Sequence, residues 1–356
     1  MKNLVILGGG YGGMRLLAKL LPNNSLPEDI SITLIDRVPY HCLKTEYYAL
    51  AAGTISDQHV RVSFPEDPRL TIKFGEITGI DLDAKKILLQ NEIPVKYDEL
   101  VIGLGCEDKF HNVPGAENYT YSIQTIEKAR ATYQALNNLP SDSIVGIVGA
   151  GLSGVEIASE LHESRPDLMI KLFDRGSHIL SAFPDRLGLY VENWFETHGV
   201  EIISHSNITA VEENVLFNHD EPIPCDAIVW TAGIQPNKVV RDLPVEKDSQ
   251  DRVILTKHHN LPTDEHVYVV GDCASLPHAP SAQLAEGQAE QIAEILLKRW
   301  KGETLPDTMP QIKLKGVLGS LGKKQGFGVV ADRAITGRVA RILKSGILWM
   351  YKYHRG

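Results

Sequence analysis

Leu4-Val5-Ile6-Leu7-Gly8-Gly9-Gly10-Tyr11-Gly12-Gly13 is the stretch on which the fold turns. Only Met1, Lys2 and Asn3 precede four consecutive apolar residues, which reads as a parallel strand buried on both faces. Gly8, Gly10 and Gly13 then fit G-x-G-x-x-G, and Met14 to Leu21 has the pattern of the following helix. Strand, glycine turn and helix in that order form a dinucleotide-binding unit. Its glycines allow a tight turn, close backbone approach to a pyrophosphate and helix-on-strand packing, and the helix N-terminus favours the phosphates. A second strand, Ile30 to Ile35, ends at Asp36, a carboxylate able to accept hydrogen bonds from a ribose.

The pattern returns once. Ser143 to Val148 reads as a strand, Gly149, Gly151 and Gly154 repeat the spacing, Val155 to Ser164 forms the helix, and Met169 to Phe173 ends at Asp174. Two fingerprints imply two dinucleotide units, each with its own ligand. Asp174 suits the ribose of NADH and repels a 2′-phosphate, whereas Arg175 beside it suits that phosphate, so NADPH stays open next to NADH. Three more apolar runs end in glycine: at Gly103-Leu104-Gly105, at Gly233 and at Gly271-Asp272. Ligands of open α/β sheets sit at such strand ends, although glycine there also serves as plain strand-to-loop punctuation. Between the motifs, Thr71 to Phe74, Glu76 to Asp81 and Lys86 to Leu89 read as a small β-excursion. Tyr47 to Ala52, Ser122 to Leu136 and Ser281 to Trp300 read as helices.

The 356 residues suffice for two domains with cores of their own. A formal net charge of −9 argues against a general nucleic-acid binder. The charge is uneven: from Ile312 onward ten Lys and Arg face Asp332 alone, so this tail carries +9 and the rest −18. Cys42, Cys106, Cys225 and Cys273 form no C-x-x-C pair and read as free thiols of a reducing, cytoplasmic compartment. Cys273 fits a small buried residue better than a redox thiol, and Cys106 has no evident partner in the sequence. A first strand at Leu4 leaves no room for a signal peptide, and no apolar run approaches the roughly 20 residues that span a bilayer. Thirteen histidines make no H-x-x-x-H or H-E-x-x-H, so no metal is expected.

Two fingerprints plus a late strand ending Gly271-Asp272 resemble the FAD flavoproteins with two dinucleotide-binding domains. Within them the chain is similar to the type II NADH:quinone oxidoreductases. The likeness is carried by Tyr40-His41 through Thr45-Glu46 to Gly53-Thr54, by Gly149 through Gly154 to Glu156, by Trp230-Thr231-Ala232-Gly233, by Gly271-Asp272-Cys273-Ala274 and by Lys315-Gly316 to Gly322. It implies an α/β fold of two Rossmann-like domains, glutathione-reductase-like, with a short C-terminal helical tail. FAD would use residues 1–115 and 255–315, NAD(P)H residues 116–254, and the tail residues 316–356.

The resemblance further implies FAD contacts at Gly8, Gly10, Tyr11, Gly13, Asp36, Arg37, Lys44, Thr45, Ile77, Gly103, Leu104, Gly105, Gly271, Asp272, Ala282 and Gln283. Asp272 would hold the ribityl chain. NAD(P)H would lie on Gly149, Gly151, Leu152, Ser153, Gly154, Glu156, Asp174, Arg175 and Gly233. Glu156 is the implied catalytic residue, placing substrate or handing on protons; its bland reading is stabilisation of the first turn of its helix. Quinone would meet Gln283, Gln288 and Lys315. The family signature Ala-Gln-x-Ala-x-Gln-Gln-Gly reads here Ala282-Gln283-Leu284-Ala285-Glu286-Gly287-Gln288-Ala289, with glycine in place of the first glutamine of the pair.

The chain closes soon after Tyr353, so a second membrane-contacting helix is not expected. In the tail, Ile335, Val339, Ile342, Leu343, Gly346, Ile347 and Met350 form one stripe. Arg338, Arg341, Lys344 and Lys352 lie on other faces, with Trp349, Tyr351 and Tyr353 near the end. That is the pattern of an interfacial helix on anionic lipid; a helix docked on the body or a homodimer contact is the alternative. The reading is therefore a hydride transfer from NADH to FAD and two electrons onward to a menaquinone-like quinone, without proton pumping, peripheral at the cytoplasmic face of the membrane. Two alternatives stand beside it: a soluble reductase of a small electron-carrier protein, and a non-catalytic redox sensor that binds NADH and flavin.

Overall fold

A computed structural model describes residues 2–22 and 26–355, and side chains up to Lys352; Tyr353 thus lies outside the described side chains. The chain packs into two compact units. The first comprises Met1–Cys42, Val62–Glu107 and Gln235–Leu314, the second Leu43–Arg61, Asp108–Ile234 and Lys315–Gly356. These packing limits are drawn differently from the sequence-based division: 235–254 go with the first unit, and 43–61, 108–115 and the tail with the second. The stretch 43–61, whose Tyr47 to Ala52 are buried, is tied down there also by Asp57, which pairs with Arg130 at 3.0 Å, and by Gly53 against Tyr133.

In the first unit five parallel strands lie in the order Val267–Val269, Glu99–Ile102, Lys2–Leu7, Ile30–Asp36, Leu70–Phe74. Lys2–Leu7 is central because it is buried from both sides. Leu4 and Ile6 enter a core with Leu16, Leu17 and Leu20 of the helix Tyr11–Leu20 and with Ile292, Ile295 and Leu296 of the helix Ala282–Trp300. Val5 and Leu7 enter a second core with Leu100, Ile102, Val267 and Val269. The two-residue period of a strand splits the apolar run between the two faces. Each buried aliphatic side chain there contributes about 1.5–3 kcal/mol. Leu70–Phe74 pairs in parallel with Ile30–Asp36, so it is the sheet's edge strand and not part of the excursion; its pattern of exposed and half-buried residues suits an edge. The excursion is Ile77–Asp81, Lys86–Leu89 and Val95–Lys96, an antiparallel meander.

The second unit repeats the plan on a smaller scale. Its parallel sheet runs Glu201–Ile203, Met169–Phe173, Ile144–Val148, Ala227–Trp230, with the helix Leu152–Ser164 after its central strand. An antiparallel meander, Ile208–Glu212, Val215–Asn218 and Glu221–Pro224, follows here as well. Val148, Phe173, Ile228 and Trp230 pack with Val211 and Leu216 in its core.

The tail is not helical throughout. Gly316–Leu321, Gln325–Val330 and Arg333–Thr336 form a third antiparallel sheet, so Ile335 lies on a strand, and only Gly337–Arg355 is helix. That helix meets the sheet backbone to backbone. A Cβ on Gly326 would come within 3.0 Å of the Arg341 nitrogen, and Ala340 is fully buried beside it. Among the described residues no helix is long and apolar enough to cross a membrane.

Candidate functional site

The two fingerprint turns share one geometry. A Cβ on Gly8 would fall 2.3 Å from the Gly103 carbonyl oxygen, and one on Gly13 would fall 2.1 Å from that of Gly8. The first glycine lets two strand ends meet, and the third lets the helix close on its own turn. Gly149 and Gly154 are hemmed in likewise, by Ala232 and by the Gly149 carbonyl. Gly10 and Gly151 differ: nothing lies within 4 Å of a Cβ on either. Each is also an N-cap without a side-chain capping bond, whereas the helices beginning at Ile126 and Ala282 are capped by Thr125 and Ser281. An open glycine over free helix N–H groups is the cradle that a pyrophosphate needs.

The two acids are locked in matching fashion. Asp36 Oδ2 accepts the Gly9 N–H at 2.6 Å and Oδ1 the Val38 N–H at 3.0 Å. Asp174 Oδ2 accepts the Ala150 N–H at 2.9 Å and Oδ1 the Gly176 N–H at 2.7 Å. Each carboxylate thus fixes the glycine turn as well as standing at the strand end. Burial raises the Asp36 carboxyl above its ordinary value, against the backbone N–H groups of Val38 and Gly9. His41, fully buried, donates from Nδ1 to the Gly9 carbonyl at 2.8 Å and meets Tyr11 edge-on at 5.0 Å. Arg37 is exposed and lies 3.7 Å from Glu76, and Arg175 is also exposed.

Gly271 and Asp272 form a turn held from two sides. The Gly271 N–H donates to Gln288 Oε1 at 2.9 Å, and Gln288 Nε2 donates to the Val269 carbonyl at 2.8 Å. Gln288 is fully buried. Its expected contact with quinone is therefore corrected: both ends of its amide are spent on the backbone around Asp272. The Cys106 thiol donates to Asp272 Oδ2 and the Cys273 thiol to the Gly105 carbonyl, each at 3.0 Å. Cys106, for which the sequence offers no partner, is thus engaged with the very carboxylate expected to hold FAD. Burial pushes the Cys273 thiol far above its usual range, as befits an inert thiol.

Glu156 lies in a buried polar cluster of the second unit. It is the fifth residue of its helix, so the first-turn dipole reading is corrected. Its carboxylate pairs with Lys344 of the tail helix and accepts the Ser320 N–H at 2.9 Å. Lys344 also donates to the Tyr48 hydroxyl at 2.8 Å, which lies 3.0 Å from Ser320 Oγ. Arg341 reaches Ser320 Oγ at 3.3 Å and lies 4.0 Å from Glu160. Burial raises the Glu156 carboxyl to about 7 against the opposing pull of Lys344. Burial also works against a charged Lys344, but Glu156, Tyr48 and Glu46 outweigh it and hold the ammonium above its ordinary value. Glu46 and Glu160 are raised by burial too, and both are opposed by Arg341 and Lys344. A carboxyl near neutrality with a lysine, a tyrosine and a serine in contact can hold or release a proton. Tyr48, Ser320 and Lys344 were not singled out from the sequence for this role, because only folding brings 48, 156, 320 and 344 together.

The remaining expected residues are distributed as follows. Gly103, Leu104, Gly105, Ala282 and Gln283 belong to the first unit with Asp272, Gln283 being exposed. The Ile77 side chain packs in the core with Ile87 and Leu89, leaving only its backbone for a ligand. Lys44 and Thr45 open a short 3-10 turn of the second unit, to which exposed Lys315 also belongs. Leu152 approaches Gly319, Ser153 is exposed, and Gly233, at φ +129°, lies against His111. On the tail helix the expected stripe faces outward: Val339, Ile342, Leu343, Ile347 and Met350 are exposed, as is Trp349.

Comparison with known proteins agrees with this geometry. The sequence model of the pyridine nucleotide-disulphide oxidoreductases matches residues 2–289. The chain is 71% identical to the NADH dehydrogenase-like protein YutJ of Bacillus subtilis (strain 168), over the full length of both. It is 27% identical to a type II NADH:quinone oxidoreductase of Staphylococcus haemolyticus (strain JCSC1435), over 97% of this chain and 94% of that one. Among solved structures, NDH2 from Plasmodium falciparum in complex with NADH superposes with a TM-score of 0.83 at 16% identity, covering 99% of this chain and 96% of that one. The sulfide:quinone oxidoreductase of Aquifex aeolicus gives 0.82 at 21% identity, covering 99% and 91%. At those identities the two structures speak for the fold alone.

Proposed function

The chain belongs to the pyridine nucleotide-disulphide oxidoreductase family, and from that premise we propose that it oxidises NADH and delivers the electrons to a quinone at a membrane surface. It is a flavin-dependent NADH dehydrogenase with FAD and NADH as its cofactors. FAD, when bound, accepts hydride from NADH and returns two electrons to an acceptor. The first fingerprint, Asp36 and the Asp272 turn are the residues proposed to hold FAD. The second fingerprint and Asp174 are those proposed for NADH. Gln288 and Cys106 keep the Asp272 turn in place. Reducing a quinone to a quinol consumes two protons, and Glu156, with Lys344 and Tyr48 beside it, is the proposed group that holds one of them.

The orientation of the tail helix carries the membrane part of this reading. Its cations Arg341 and Lys344 face the body, and its aliphatic residues and Trp349 face out. Arg338, Lys323 and Lys324 are exposed nearby in sequence, as an anionic lipid surface would require. Anaerobic stopped-flow tests the proposal. The purified protein should show the flavin spectrum, bleach on mixing with NADH, and reoxidise rapidly on mixing with a menaquinone analogue. Bleaching without quinone-dependent reoxidation would move the acceptor to a small electron-carrier protein, or the function to a redox sensor.

A further inference from the structure

Two backbone groups fix the orientation of the Gln288 amide. Its Oε1 faces the Gly271 N–H, which can only donate, and its Nε2 faces the Val269 carbonyl, which can only accept. The second hydrogen of Nε2 is left for His259 Nδ1, 3.3 Å away on the loop before the strand Val267–Val269. An amide N–H needs an acceptor, so Nδ1 carries no proton and the ring is neutral with its hydrogen on Nε2. That nitrogen donates to Gln291 Oε1 at 2.7 Å. Gln291 Nε2 then donates to the Pro310 carbonyl at 2.6 Å, again a pure acceptor.

One chain of hydrogen bonds thus runs from Pro310 through Gln291, His259 and Gln288 to the Gly271-Asp272 turn. Backbone groups anchor both ends, and reading from either end gives the same tautomer. Burial lowers the His259 imidazole below its ordinary value, against the Gln291 hydrogen bond and with the help of neighbouring His258. The His259 backbone stands at φ +64°. A residue other than glycine persists there where its surroundings over-determine it. Here they do: besides the two ring contacts, the His259 N–H donates to the Thr256 carbonyl at 3.0 Å and its carbonyl accepts the Val269 N–H at 3.2 Å. The segment carrying Pro310 is itself fastened, by His258 Nε2 on the Pro306 carbonyl at 2.8 Å and by Met309 on the first core.

We propose that His259 is a positioning residue for FAD: by accepting from Gln288 it locks the amide that holds the Gly271-Asp272 turn in place for the cofactor. This rests on the reading that the Asp272 turn takes part in holding FAD. His259 acts through Gln288 and not by contact with the ligand. Without the ring, the buried Gln288 amide can exchange its ends. An exchanged amide sets N–H against the Gly271 N–H and oxygen against the Val269 carbonyl, and the turn gives way. One hydrogen bond of this kind is worth about tenfold in an equilibrium constant.

The test titrates flavin-free protein with FAD and reads Kd from flavin fluorescence, at a temperature where circular dichroism shows each variant folded. His259→Gly, in which glycine accepts the backbone at φ +64°, should raise Kd at least tenfold. His259→Asn, whose amide oxygen can stand where Nδ1 stood, should stay within threefold of the wild type. In a Gln288→Ala background His259→Gly should add less than threefold, because the group it acts through is gone. A merely structural role would weaken the Asn variant too, or leave the two losses independent. Gln291→Ala, at the half-buried outer end of the chain, should raise Kd at least threefold and decides the matter with His259→Asn if His259→Gly does not fold. Failure of any one of these expectations overturns the proposal while leaving FAD binding intact. A wild type that takes up no FAD overturns the FAD reading, and this proposal with it.

Discussion

Lys344, on the C-terminal helix, forms a salt bridge with Glu156, on the helix that follows the second fingerprint, where both side chains are shielded from water. Two residues 188 positions apart thus share one charge balance. Removing one partner of such a buried pair strands the other.

Lys344→Met should therefore cost about 3 kcal/mol of stability at pH 8. The sign with pH follows from Glu156. Its folded value of about 7 lies above the ordinary 4.5, so below 7 it takes up a proton and needs no cation. Without Lys344 the value rises further, and the loss should shrink steadily towards pH 5.5. Chemical denaturation of wild type and variant at pH 5.5 and 8 measures this; an equal loss at both would show that the carboxyl does not titrate there. Any rate step that depends on Glu156 should have its pH midpoint displaced upward in the same variant.

Gly10→Ala and Gly13→Ala should separate ligand binding from folding. The methyl at 10 enters open space, so stability should stay within about 1 kcal/mol while FAD affinity falls at least tenfold. The methyl at 13 collides with the Gly8 carbonyl, and overpacking of that kind costs about 1–3 kcal/mol or more. Fluorescence titration of the flavin-free protein with FAD, alongside thermal unfolding, distinguishes the two outcomes. Gly151→Ala and Gly154→Ala should behave alike towards NADH.

Gln288→Ala leaves the Gly271 N–H and the Val269 carbonyl without their partner. The expected cost is about 1–3 kcal/mol, accompanied by flavin loss on dialysis. If instead flavin is retained and only the KM for quinone rises, Gln288 reaches the acceptor after all.

Charge placed on the outward side of the tail helix should abolish lipid contact without disturbing its inner side. Ile342→Glu with Ile347→Glu is expected to move the protein from the floating to the soluble fraction with vesicles containing anionic lipid. A wild type that never floats would end the membrane reading.

Much of this was legible before folding. Gly8-x-Gly10-x-x-Gly13 and Asp36, with their repeat at Gly149 and Asp174, declare themselves because local geometry requires those residues at those spacings. Gln288 was misread for the opposite reason: sequence spacing places an amide on a helix but not on its buried side. The Glu156 cluster was only one-quarter visible, since Tyr48, Ser320 and Lys344 converge through tertiary packing. The sheet at 316–336 hid behind its glycines, which weaken a strand signal yet are required there, as Gly328 facing the Val317 carbonyl demonstrates.

The inward face of the tail helix also limits how this protein can be shortened. Arg341, Lys344 and Lys352 all act on buried carboxyls, with Glu46 feeling each of them. A chain cut after Thr336 would lose more than a surface attachment. It would leave Glu46, Glu156 and Glu160 facing one another as neighbours of like charge. The helix serves the body as a counter-ion, and trimming it for solubility would trade one difficulty for an unstable interior.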